Sequence, residues 1–81
     1  MSGDRSGSAR SVTVREEPVQ LSQALKLAGV AESGGDAKQL ITSELVSVNG
    51  EVETRKGRKL RAGDRVSYDG QTFVIAVRTN L

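Results

Sequence analysis

The stretch Leu45-Val46-Ser47-Val48-Asn49-Gly50-Glu51-Val52-Glu53-Thr54-Arg55-Lys56-Gly57-Arg58-Lys59-Leu60-Arg61-Ala62-Gly63-Asp64-Arg65-Val66 decides how the rest of the chain is read. Its first half alternates valines with polar residues around an Asn-Gly dipeptide, the pattern of strands meeting at a turn. From Thr54 onward it carries six of the chain's twelve basic residues (Arg55, Lys56, Arg58, Lys59, Arg61 and Arg65) against a single acid, Asp64. Elsewhere acids outnumber bases, so the net charge of +2 conceals one concentrated basic segment. A charge run alone reads as a solvated face. On a short, turn-rich strand pair it gathers cations on one side, where they can follow a phosphate backbone.

Working outward, the Asn49-Gly50 turn leaves two readings open. A two-residue turn would set Val48 opposite Glu51 and mix buried with charged positions on one face. The alternation therefore favours either a three-residue connection with Gly50 in a bulge, or pairing of Val46–Val48 with a later strand. If Leu60 points into the core, Lys59 and Arg61 point to solvent, and Ala62-Gly63-Asp64 forms a turn before Val66. At Asp69-Gly70 the two-residue turn works without conflict. It places Val66 opposite Phe73 and predicts an antiparallel hairpin of Arg65–Tyr68 and Gln71–Val77. Arg78 to Leu81 is expected to fray.

Upstream, Leu21, Ala24, Leu25 and Ala28 follow the i, i+3, i+4, i+7 rule and predict an amphipathic helix from about Val19 to Ala28, with Gly29 as a left-handed C-cap. Ser33 and Asp36 approximate a capping box that opens a second helix reaching about Glu44, with Ala37, Leu40 and Ile41 inward. Two such helices on a short link make an αα-hairpin. The Gly34-Gly35 turn offers backbone N–H groups of the kind that hold anions. Asp36 in that first turn repels one, and neither a Gly-Lys-Ser/Thr nor a dinucleotide fingerprint follows, so the turn reads as a cap. Val12–Arg15 alternates as a short strand ended by Glu16-Glu17-Pro18. Met1–Ser11 is rich in Gly, Ser and Arg and is expected to be a disordered tail, in which Arg5 and Arg10 add weak attraction for a phosphate backbone.

With 81 residues the chain makes one small domain, expected over residues 12–81. It contains no Cys, His or Trp, which excludes zinc and most transition-metal sites together with thiol and imidazole catalysis. Any enzyme chemistry would rest on Ser, Asp, Glu, Lys or Tyr alone, and no base–nucleophile relay is legible among them. No apolar run approaches the roughly 20 residues that span a bilayer, and the start lacks the apolar core of a signal peptide. A cytoplasmic protein is expected, without metal or cofactor.

These pieces, in this order, resemble the S4 domain, the RNA-binding module of ribosomal protein S4 and several RNA-modifying enzymes. The matching residues are Leu25-Lys26-Leu27-Ala28-Gly29, Glu32-Ser33-Gly34-Gly35-Asp36-Ala37-Lys38-Gln39-Leu40-Ile41, Val46-Ser47-Val48-Asn49-Gly50-Glu51-Val52, Arg55-Lys56-Gly57-Arg58-Lys59 and Arg61-Ala62-Gly63-Asp64-Arg65-Val66. They fall within residues 19–77, and the wording is most similar to short stand-alone bacterial S4-like proteins. The resemblance implies an α+β fold, a helix pair packed on a small antiparallel sheet. It also implies binding of structured RNA by the start of the second helix and the following β loop. Carried onto this sequence, that surface is Lys38, Asn49, Arg55, Lys56, Arg58, Lys59 and Arg61. Gly34 stands where many S4 domains carry Arg or Lys, which moves the weight of the contact to Arg55–Arg61.

The residues themselves bear on the kind of RNA. The only aromatics, Tyr68 and Phe73, read as core positions of the terminal hairpin, whereas readers of single strands need exposed aromatic platforms. Loop cations suit phosphates and shape, so folded or double-stranded RNA is expected: ribosomal RNA, transfer RNA or a ribosomal particle. Asn49 has two open roles, a contact to a base or 2′-OH and a place in the turn. Gly63-Asp64-Arg65-Val66 before a terminal hairpin also resembles β-grasp sulfur carriers, but a sulfur-carrier function is not expected of a sequence that reads Thr79-Asn80-Leu81 where those carry Gly-Gly. The rival is a protein-interaction module docking an acidic partner through the same basic loop. A non-catalytic, monomeric RNA-binding protein is the expectation that results.

Overall fold

The computed structural model describes residues 10–78, and five of its connections contain a residue at positive φ. The elements run β1 (Arg10–Val14), β2 (Val19–Gln20), α1 (Leu21–Leu27), α2 (Gly34–Thr42), β3 (Val46–Val48), β4 (Glu51–Val52), β5 (Lys59–Leu60), β6 (Arg65–Tyr68) and β7 (Gln71–Val77). Asp69 at φ 51° and Gly70 at φ 78° make the two-residue turn between β6 and β7, and Val66 pairs with Phe73 as the alternation requires.

Asn49 at φ 52° and Gly50 at φ 89° make a second turn of the same kind. This corrects the three-residue bulge: β3 and β4 meet through two residues, with Val48 opposite Glu51 and Ser47 opposite Val52. The other open reading holds as well, since Val46–Val48 pairs with the later strand β6, Val48 lying opposite Val66. β1 runs parallel to β7, from Arg10 opposite Phe73 to Val14 opposite Val77. The five-stranded sheet, in the order β1-β7-β6-β3-β4, is therefore mixed rather than purely antiparallel. Alternation shows that a segment is a strand, but not which neighbour it takes or in which direction. Arg10 and Ser11 belong to β1, although the expected tail included them. The rest of that tail, and residues 79–81, lie outside the described residues.

The first helix starts at Leu21, because Val19 and Gln20 pair with Leu60 and Lys59 as a two-stranded ladder of β2 and β5. Gln20 supplies no side-chain cap. Instead Leu21 N donates to Arg58 O at 2.8 Å and Ser22 N to Lys56 O at 3.2 Å, which satisfies two donors that a helix start leaves free. At the other end Gly29 adopts φ 78°, and Arg10 Nη2 donates to Ala28 O at 2.7 Å. Arg10 is thus engaged within the fold. The second helix opens as the capping pattern predicts, with Ser33 Oγ accepting from Asp36 N at 3.2 Å. Ala37 and Ile41 are buried, while Leu40 is only half-buried against them.

Both helices cover one face of the sheet. Leu21, Leu25 and Ile41 meet Val46, Val66, Phe73 and Ile75, none more than 2% exposed. Burying each such side chain contributes about 1.5–3 kcal/mol. Leu60 joins this core from β5, with Lys59 and Arg61 exposed on either side as predicted.

Candidate nucleic-acid interface

The basic loop between β4 and β5 is built on a buried acid. Under the two-residue turn, Glu53 falls opposite Val46, whose carbonyl accepts from Glu53 N at 3.0 Å. Its side chain turns to the core side of the sheet, where the residue is only 6% exposed. Glu53 Oε2 accepts from Thr54 N at 3.1 Å, Arg55 N at 3.0 Å and Arg55 Nε at 3.0 Å. Oε1 accepts from Arg58 Nη1 at 2.8 Å and, at 3.4 Å, from Arg55 Nη2. A buried carboxylate is tolerated only with such partners. The Arg55 and Arg58 hydrogen bonds hold its carboxyl at about 2, well below the ordinary 4.5.

Three further ties fix the loop. Arg58 N donates to Arg55 O at 3.2 Å and closes the turn over Lys56 and Gly57; the carbonyls of Lys56 and Arg58 cap α1; and β5 pairs with β2. Arg55, Gly57, Arg58 and Lys59 line one open depression. The Arg55 side chain is 75% exposed and that of Arg58 34%. Lys56 and Lys59 are exposed, and among the described residues neither forms an ion pair.

The other residues predicted for the surface fare differently. Asn49 ties the turn to the Asp64–Arg65 corner: its Nδ2 donates to Asp64 Oδ1 at 3.2 Å and its Oδ1 accepts from Arg65 N at 2.9 Å. Of its two open roles, the structure shows the one in the turn. Arg61 is exposed, with its backbone N donating to Asp64 Oδ2 at 2.8 Å. Lys38 lies exposed on α2, and no hydrogen bond or ion pair among the described residues links its side chain to the basic loop. Arg55, Lys56 and Arg58 thus share one loop, with Lys59 directly after it at the start of β5, while Lys38 and Asn49 lie elsewhere in the fold.

Sequence reasoning missed Glu53. The available signal was its spacing, with arginines at i+2 and i+5, combined with the turn that places it inward. Of the two aromatics, Phe73 is buried and Tyr68 half-buried. No described helix is long and apolar enough to cross a membrane.

Comparison with known proteins agrees with this architecture. A solution structure of YbcJ from Escherichia coli, described as revealing an αL motif involved in RNA-binding, superposes with a TM-score of 0.68 at 38% identity, covering 94% of this chain and 96% of that one. In sequence, YbcJ of Escherichia coli (strain K12) is 48% identical over 57 residues, 70% of this chain and 81% of its own. A "probable ribosome maturation protein RlbA" of Bacillus subtilis (strain 168) is 44% identical over 62 residues, 76% of this chain and 87% of its own. The family model for the S4 domain matches residues 12–76, nearly the whole described structure, and the chain belongs to the S4 domain family.

Proposed function

We propose that this chain is a non-catalytic, cytoplasmic, monomeric protein that binds structured RNA through the loop carrying Arg55, Lys56, Arg58 and Lys59, with Arg61 and Lys38 extending the surface. The observation that carries the reading is the loop itself: Arg55, Lys56 and Arg58 on one turn, followed at once by Lys59 of β5, all held to a helix start and a buried acid so that the shape is set. Loop cations without an exposed aromatic platform favour the phosphates of folded or double-stranded RNA over unstacked bases. Ribosomal RNA, transfer RNA or a ribosomal particle is the substrate class, and the name of the Bacillus relative supports the ribosomal choice.

The test is a salt titration on a folded RNA. If about four to six phosphates are neutralised, log K falls against log salt with a slope of roughly −3 to −5. Lys26→Ala, on the exposed side of α1, leaves that slope unchanged. A slope near zero for the wild-type protein sinks the reading.

A further inference from the structure

Resting on that reading, we propose that Glu53 is a positioning residue of the RNA site, presetting the guanidiniums of Arg55 and Arg58 as a fork for one phosphodiester. A guanidinium has five N–H donors in a fixed plane. Arg55 turns Nε and Nη2 to the Glu53 carboxylate, and Arg58 turns only Nη1. Nη1 of Arg55 and Nη2 of Arg58 are left without a protein partner among the described residues. Both arginines border the depression that also takes in Gly57 and Lys59. One carboxylate therefore fixes two guanidiniums from the core side. The remaining donors keep the bidentate capacity that suits a phosphate, and a Lys ammonium has none of that planar geometry. The backbone bonds from Thr54 and Arg55 to Oε2 hold the carboxylate in turn, so the loop, the acid and the fork form one rigid unit.

This arrangement reverses the sign expected from charge alone. Glu53 is a negative charge beneath an RNA-binding loop, so by simple attraction its removal should tighten binding. If its work is to hold the fork, its removal weakens binding despite the more positive loop. The experiment measures anisotropy of a fluorescein-labelled RNA stem-loop with the wild-type protein, Glu53→Gln and Arg55→Lys, with circular dichroism melts alongside. Folded Glu53→Gln is expected to bind roughly tenfold more weakly, in line with the loss of one charge-assisted contact. Arg55→Lys, with its charge unchanged, is expected to lose roughly tenfold at every salt concentration while the salt slope stays the same. Equal or tighter binding by folded Glu53→Gln overturns the proposal, as does wild-type affinity in Arg55→Lys. If Glu53→Gln fails to fold, Arg55→Lys decides alone, because its exposed side chain can change with the carboxylate still in place. If the wild-type protein itself does not bind the stem-loop, the RNA reading falls and the fork falls with it.

Discussion

Replacing Glu53 by Gln should destabilise the protein by an amount that acid removes. The substitution keeps the side chain's shape and one acceptor oxygen, but it takes away the charge that Arg55 and Arg58 face at 3.0 and 2.8 Å. Holding the carboxyl at about 2 rather than the ordinary 4.5 corresponds to about 3 kcal/mol at neutral pH. Because the Arg55 side chain is 75% exposed, solvent screens part of this, and about 1.5–2.5 kcal/mol is the expected loss. For a domain of this size that is roughly 10 °C in Tm. A carboxyl whose folded pKa is lowered contributes stability that is fully present above its unfolded value and is lost as the pH falls through its folded value. The gap between wild type and variant should thus be constant above about pH 6, shrink below about 5 and nearly vanish near 2. Urea unfolding of both proteins, followed by circular dichroism at stepped pH, reads this gap, and the difference cancels every titrating group the two proteins share. A gap that stays flat from pH 7 to 2, or widens on acidification, refutes the assignment of Glu53 as the charged partner of the loop.

Lys56→Ala combined with Lys59→Ala should change stability by no more than about 0.5 kcal/mol per site, while flattening the salt dependence of RNA binding by about 1.5–2 in slope; parallel melts and salt titrations check it. Replacing all four loop cations by Ala should instead lower the melting temperature sharply, because it strands the buried Glu53 carboxylate. Leu25→Ala, at a position with no exposure, should cost about 2–5 kcal/mol in urea unfolding through the cavity it leaves. Asn49→Ala should cost about 1–3 kcal/mol in a thermal melt, since it removes both bonds to the Asp64–Arg65 corner and leaves an alanine at φ 52°.

Where one rule governed a segment, the sequence was enough. The β6–β7 hairpin has a two-residue Asp-Gly turn and apolar residues that agree in phase on both strands, so register and turn type could be read together. The cap at Ser33 depends on residues three apart and was equally legible. The start of α1 was not, because its donors are satisfied by carbonyls of Lys56 and Arg58 more than thirty positions away. The direction of β1 was hidden for the same reason. Nothing within Arg10–Val14 records that its partner is β7 or that the two run parallel.

The error at Asn49-Gly50 has a more instructive cause. Alternation argues against the two-residue turn because that turn sets Glu51 opposite Val48; the structure takes the turn, leaves Glu51 exposed and buries Glu53, two residues further on. β4 is two residues long and forms the edge of its sheet, so no stack of apolar side chains has to continue beneath it. At such an edge the alternation rule weakens, and the rule that remains is that a buried charge must be paired. Applied to Glu53, that rule asks for donors close by in the chain, and the sequence supplies Arg55 and Arg58. Treating the basic run as a surface feature separated two things that the fold joins. Two of its arginines are part of what makes an inward acid affordable, and the proposed phosphate fork draws on the same two contacts.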